Sequence, residues 1–258
     1  MLVRPDGHVL LQHRAPWSHE GGTWALPGGA RSSTENALAT ATREAAEEAA
    51  VDPTAVTPSH SWLEDHGRWS YTTVVAHTRV PVQARTADPE SVELRWVRID
   101  LVDSHPLHPA FADAWPTLRV HAMRRLVLVV DAANVVGSRP DGWWHDRVGA
   151  NTRLRDGLAT VAARGVPAQA FALPAELWWP DVLLIVEGQA RGIDSVRGVT
   201  VLSAERDGDA LIVDTVAASR RERPDDPVVA VTADRALSSQ VQDLGATVVG
   251  PGTLLGML

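Results

Sequence analysis

The second half of the chain contains four short, predominantly apolar runs: LVLVV at 126–130, DVLLIV at 181–186, VTVL at 199–202 and PVVAVT at 227–232. A strand with one wet face alternates apolar and polar residues, whereas a strand covered on both faces reads as a nearly continuous apolar run. The stretches between these runs, such as DRVGANTRLRDGLATVAARG and LSSQVQDLG, read as helices. Buried strands alternating with helices specify a parallel sheet, because parallel neighbours need long crossovers and the crossover helices cover the faces.

The first half has a different texture. HVLLQH, a helix from about Thr34 to Ala50, WSYTTVVAHTRV and ELRWVRI read as strands around one helix, and HPLHPAFADAWPTLR follows as a short helix bracketed by prolines. The expected organisation is two domains, 1–118 and 124–258, with a linker near 117–124, and 258 residues suffice for two cores. The opening MLVRPDGHVLLQHR reads as strand, turn and strand rather than as a signal peptide. No run approaches the roughly 18–20 apolar residues of a membrane span, so the expectation is a cytoplasmic protein without membrane contact. The chain has no cysteine, which excludes disulfides, thiolate zinc sites and a cysteine nucleophile. Every basic residue is arginine, and the net charge of −8 argues against a general electrostatic grip on nucleic acid.

Within GGARSSTENALATATREAAEEAAV (28–51), Glu44, Glu47 and Glu48 stand at i, i+3 and i+4, so a helix projects all three from one face. Ser33 or Thr34 is a candidate cap for that helix. Three such anions repel one another unless a cation sits among them, and Arg43 alone does not neutralise three acids. A hard divalent cation does, since Mg²⁺ takes carboxylates together with water and phosphate oxygens. A solvated acidic helix face is the alternative reading of the glutamates taken alone.

The full spacing of Gly29, Glu35, Arg43, Glu44, Glu47, Glu48 and Val51 resembles the Nudix box of the Nudix hydrolases, with alanine at 50 where the pattern has glycine. That resemblance, over about residues 1–118, implies an α/β/α sandwich with a mixed sheet and cleavage of the pyrophosphate linkage in a nucleoside diphosphate derivative or nucleoside triphosphate. It implies Mg²⁺ or Mn²⁺ on Glu44, Glu47, Glu48 and the Gly28 carbonyl, with Arg43 and Glu35 orienting the glutamates. Glu90 and Glu93 are candidates for a base or an extra ligand, and equally for strand-edge acids. Trp24, Trp62, Trp69 and Tyr71 are aromatics able to stack on a base.

The second half has acids at strand ends. Asp131 follows RLVLVV, Glu187 follows DVLLIV, Asp234 follows VVAVTA, and Asp207 and Asp209 open the helical stretch DALIVDTVAAS. Open α/β sheets place their sites at such carboxyl ends, although an aspartate there is commonly a cap. VVDAANVVGSRPDGWWHDR, VTADRAL and GATVVGPGTLL resemble a NYN-type member of the PIN-like nucleases, which implies a Rossmann-like parallel sheet with flanking helices. The implied metal and catalytic set is Asp131, Asp209 and Asp234, with Asn134, Asp207 and Glu187 as further candidates. Arg139, Arg147, Trp143 and Trp144 form a candidate strip for single-stranded RNA. A bifunctional hydrolase is one reading of the whole; a nucleotide-sensing or RNA-binding protein, with one or both halves binding without catalysis, is the other. Residue patterns alone specify no oligomeric state.

Overall fold

Strands β1 (Leu2–Val3) and β2 (His8–Arg14) flank a tight turn in which Gly7 takes φ +75°, a conformation that favours glycine. In this computed structural model, which describes residues 1–139 and 142–258, the chain divides into two units, Met1–Met123 and Arg124–Leu258. The first unit adds β3 (Trp24–Ala25), helix α1 (Ala37–Ala49), β4 (Val56–Asp65), β5 (Ser70–Thr78), β6 (Ser91–Arg98) and helix α2 (Pro109–His121).

Its strands run in the order β3-β2-β1-β5-β4, with β6 also pairing β2. The sheet is mixed: β1 runs parallel to β5 and antiparallel to β2. Alternate residues of β2 go to opposite faces. Val9 and Leu11 join Val75, Val97 and the α2 residues Phe111, Trp115 and Leu118, while Leu10 packs with Leu2, Ala76 and Ala49 of α1. Both faces are therefore covered, each by one helix.

Two boundaries differ from the sequence reading. Helix α1 starts at Ala37, because Asn36 rather than Ser33 or Thr34 is its cap and its Oδ1 accepts the Ala39 N–H at 2.9 Å. Pro116 does not bracket α2; it lies inside the helix, whose buried stripe Phe111, Trp115 and Leu118 extends beyond the proline.

In the second unit β7 (Val127–Asp131) leads into α3 (Ala132–Gly137) and α4 (Arg147–Arg164). A short antiparallel pair, β8 (Val166–Pro167) and β9 (Leu177–Trp178), precedes β10 (Asp181–Val186) and β11 (Val199–Ser203). Helix α5 (Gly208–Glu222), β12 (Val228–Val231), α6 (Arg235–Asp243), β13 (Thr247–Val249) and α7 (Pro251–Leu255) complete it. The strands β11-β10-β7-β12-β13 are all parallel. Leu128, Val130 and Leu184 face Leu154 and Leu158 of α4, and Val129, Ile185 and Ala230 face Ile212, Val216 and Leu237 of α5 and α6. The first strand, β7, is central, with β10 on one side and β12 on the other, so the strand order reverses beside its carboxyl end.

Helix α1 ends on Ala50, whose φ of 51° and ψ of 35° are left-handed. The Ala50 N–H donates to the Ala46 carbonyl and the Val51 N–H to the Ala45 carbonyl, each at 3.1 Å, a Schellman-type closure. A β-carbon there costs about 1–2 kcal/mol, partly offset by the extra freedom glycine brings to the unfolded chain. Ala50→Gly is expected to stabilise the first unit by roughly 0.5–1 kcal/mol. The measurement is amide hydrogen exchange at Val9, Leu10 and Leu11, which should slow about two- to fivefold.

Two candidate catalytic sites

In the first unit the site is organised by one guanidinium. Arg43 Nε donates to Glu35 Oε1 at 2.9 Å, Nη1 to Glu47 Oε2 at 2.8 Å, and Nη2 to the Ala30 carbonyl at 3.2 Å. Nη1 also lies 2.8 Å from Glu44 Oε1. One side chain thus ties the loop before α1 to two carboxylates one turn apart. The Arg43 hydrogen bond holds the Glu35 carboxyl down at about 2, well below the ordinary 4.5.

Glu44 is only 9% exposed and lies under the Gly28-Gly29 turn. A β-carbon on Gly29 would stand 2.6 Å from Glu44 Oε1, so any other residue there displaces that carboxylate. Glu48 Oε2 accepts the Gly28 N–H at 2.8 Å. Burial pushes its carboxyl up to about 7, the Gly28 N–H opposes this, and the charges of Glu44 and Asp88 add to it. Glu47 is the outermost of the three, with its side chain 59% exposed. Gly28 meets α1 through its N–H, where the sequence reading assigned its carbonyl as a ligand.

The donor set fits a hard divalent cation: three carboxylates on one helix face, one of them raised by burial among other acids. Among the described residues no three Asp, Glu or His side chains converge in ligand geometry. Arg43 and the Gly28 N–H engage the glutamates in this arrangement.

Two cavities flank the Gly28 turn. One of about 330 Å³ is bordered by Gly29, Thr40, Glu44 and Ser70, and another of about 300 Å³ by Arg14, Glu64, Trp69 and Phe111. Leu26, Gly28, Tyr71 and Thr73 border both.

Several sequence candidates lie elsewhere. Trp24 is not open to a base: it is 6% exposed, His13 stacks on it at 4.7 Å, and Arg95 covers it at 5.0 Å. Trp62 packs against the α2 core beside His121. Glu93 forms a two-point pair with Arg95 at 2.8 and 2.9 Å on β6, and Glu90 is exposed; neither borders these two cavities. The acid from that segment whose charge reaches Glu48 is Asp88, brought near as the Ala87 N–H donates to the Glu48 carbonyl at 3.1 Å. Its only sequence signal was an acid two residues ahead of Glu90.

In the second unit Asp131, Asn134, Glu187, Asp209 and Asp234 border one cavity of about 480 Å³. Asp131 ends β7 and is 7% exposed; its Oδ1 accepts the Asn134 N–H at 3.0 Å and its Oδ2 the Thr232 hydroxyl at 2.9 Å. Asn134 Oδ1 accepts the Ala233 N–H at 3.0 Å, which ties α3 to the segment after β12. Asp234 caps α6 through the Leu237 N–H at 2.8 Å, and Glu187 Oε2 accepts the Gly208 N–H at 3.1 Å. Burial pushes the Asp131 and Asp209 carboxyls up, and the neighbouring acids push them further. Among the described residues no arginine or histidine borders this cavity.

Asp207 is a helix cap instead, accepting the Asp209 and Ala210 N–H groups at 3.0 and 3.4 Å, and does not border the cavity. The aromatic strip is not an open surface. Trp143 packs against the core with the Arg147 guanidinium over its ring at 5.3 Å, while Trp144 is exposed. Neither Arg147 nor Arg139 borders the acidic cavity, and Pro140 and Asp141 of this segment lie outside the described residues.

Residues 1–119 match the family model described as the NUDIX domain. A Mycobacterium tuberculosis protein named "Putative 8-oxo-dGTP diphosphatase 3" is 50% identical over 125 residues, which cover 45% of this chain and 57% of that protein. The Nucleoside triphosphate pyrophosphatase/Nudix hydrolase fusion protein of Bifidobacterium longum is 45% identical over 111 residues, covering 42% of this chain and 23% of its own. RenU, a Nudix hydrolase of M. smegmatis known from a crystal structure, is 45% identical with a TM-score of 0.42, covering 46% of this chain and 78% of its own. The first unit thus carries a Nudix domain. The chain spans 57% of the length of its M. tuberculosis relative.

The Glu35–Arg43 contact sets a pH expectation. Because the folded carboxyl is depressed, its stabilisation is present above about 4.5 and is lost as pH falls through about 2. A carbon-13 NMR titration of Glu35 should show a midpoint near 2, and Arg43→Gln should return it towards 4.5.

Proposed function

We propose that the first unit hydrolyses the pyrophosphate linkage of nucleoside diphosphate derivatives or nucleoside triphosphates with Mg²⁺ or Mn²⁺, and that its substrates include the 8-oxo-dGTP named for the M. tuberculosis relative. The observation that carries this reading is the carboxylate face of α1, where Arg43 holds Glu44 and Glu47, the Gly28 N–H holds Glu48, and Glu44 borders the cavity of about 330 Å³. Glu44, Glu47 and Glu48 would hold the cation. Bound there, it would neutralise phosphoryl oxygens and lower the pKa of water for attack on phosphorus. Arg43 keeps the carboxylates in place between turnovers. Asp88, whose charge raises the Glu48 carboxyl, would take the place of Glu90 or Glu93 as the acid of the β6 approach.

In a Mg²⁺ and Mn²⁺ screen over nucleoside diphosphate derivatives and triphosphates, Glu47→Gln is expected to lower kcat/KM at least about 100-fold. Because Glu47 is exposed, the melting temperature should stay unchanged. Tight nucleotide binding without turnover in the wild-type protein would overturn hydrolysis in favour of a sensing role.

For the second unit the proposal is a NYN/PIN-like, metal-dependent ribonuclease acting on single-stranded RNA. Its support is that Asp131, Glu187, Asp209 and Asp234 all border one cavity at the point where the strand order reverses. A cavity bordered by acids and no basic side chain repels phosphate unless divalent cations enter with it. Cleavage should therefore require Mg²⁺ or Mn²⁺ and should fall at least about 100-fold in Asp131→Asn. Binding of RNA without cleavage under the same conditions would make this unit a binding module.

A further inference from the structure

Strands β4 and β5 pair with Glu64 opposite Tyr71 and Trp62 opposite Thr73. Glu64, Tyr71 and Thr73 therefore share one face of the hairpin. At its tip the His66 and Trp69 rings stack 4.0 Å apart at 23°. This face and Phe111 of α2 enclose the cavity of about 300 Å³, with His108 at the helix cap and Arg14 and His19 on its rim. A cavity of that size sits at the lower end of small-molecule sites.

The chemistry of this wall is specific. Its aromatic side chains offer a stacking surface for a flat ring. Glu64 is the only carboxylate bordering it, and among the described residues that carboxylate has no ion-pair or hydrogen-bond partner. The Arg14 guanidinium is turned to the loop, where its Nε donates to the His19 carbonyl at 2.8 Å. An ionised carboxylate only accepts hydrogen bonds, and its two oxygens match a pair of adjacent N–H donors. Leu26, Gly28, Tyr71 and Thr73 join this cavity to the one bordered by Glu44. The ligand that fits is a flat heterocycle with two neighbouring N–H groups, tethered to phosphates.

Among the common bases, guanine presents that edge through N1–H and the 2-amino group. Adenine and cytosine set a ring acceptor beside their amino group, uracil and thymine flank their N–H with carbonyls, and hypoxanthine lacks the 2-amino group. We propose that Glu64 reads the N1–H and 2-amino edge of a guanine base held against Trp69 and Tyr71, which makes the first unit selective for guanine nucleotides. Oxidation at C8 leaves this edge intact, so guanine and 8-oxoguanine nucleotides are both accepted. The proposal rests on the reading of this unit as a nucleotide hydrolase.

Isothermal calorimetry of the whole chain with GMP, IMP and AMP tests it. GMP should bind at least about tenfold more tightly than IMP or AMP, the span of hydrogen bonds to a charged acceptor. Glu64→Gln should bring GMP and IMP within about twofold of each other, with IMP little changed, which also reports an intact fold. Trp69→Ala should weaken all three together. Equal affinity for GMP and IMP, a preference that survives Glu64→Gln, or no binding of any of the three would overturn the proposal. A second arm follows hydrolysis of GTP, ITP and ATP with Mg²⁺. Equal turnover of the three would overturn guanine selectivity and leave the hydrolase reading intact. Selective GMP binding without turnover of these triphosphates, of 8-oxo-dGTP or of any nucleoside diphosphate derivative would overturn the hydrolase reading and leave the role of Glu64 standing.

Discussion

Both units cover both faces of their sheet, and this burial decides where charge can go. In the first unit β2 sends Val9 and Leu11 towards α2 and Leu10 towards α1; in the second, β7 sends Leu128 and Val130 one way and Val129 the other. A strand with no wet face has no place for a carboxylate along its length, since burying an unpaired charge costs far more than a hydrophobic contact returns. Along β2 there is no carboxylate, and along β7 the one carboxylate stands at the strand's end. Asp131 terminates β7, Asp234 opens α6 and Glu44 lies beneath a glycine turn.

The two acid clusters solve their self-repulsion differently. The first carries its own cation: Arg43 makes contacts of 2.8–2.9 Å with Glu35, Glu44 and Glu47, while Glu48, away from that guanidinium, is driven upward by burial and by Glu44 and Asp88. The second holds its acids through neutral donors, the Thr232 hydroxyl and the N–H groups of Asn134, Gly208 and Leu237. Neutral donors leave the net negative charge in place, so Asp131 and Asp209 are both pushed up. A site with a built-in arginine has its carboxylates partly neutralised within the fold; a site held by neutral donors keeps its full negative charge.

Much of this was legible in the residues because it is periodic or local. The run LVLVV became β7 and DVLLIV became β10, since continuous apolarity admits few alternatives to a doubly covered strand. The i, i+3, i+4 spacing put three glutamates on one face by helix geometry alone, and Ala50 at a helix end raised the question of positive φ that its φ of 51° answers. Roles that depend on long-range neighbours were not legible. Trp24 and Trp69 look alike in sequence, yet one is roofed by His13 and Arg95 and the other stands 57% exposed beside a cavity. Glu90 and Glu93 were singled out by their place before a strand, but the loop that sets Ala87 on the Glu48 carbonyl brings the charge of Asp88 to bear on Glu48 instead.

By itself, then, the sequence determined the strand and helix types and the carboxylate face of α1, because each follows from backbone geometry within a few residues. Tertiary structure decided which acids share a cavity, that Asp207 caps a helix while Glu187 joins Asp131, and that Glu64 stands among aromatic rings. Those outcomes depend on contacts between residues far apart in the chain, such as Asp131 with Thr232, 101 positions apart. Such contacts form only when the sheets close, and no periodicity in the chain encodes them.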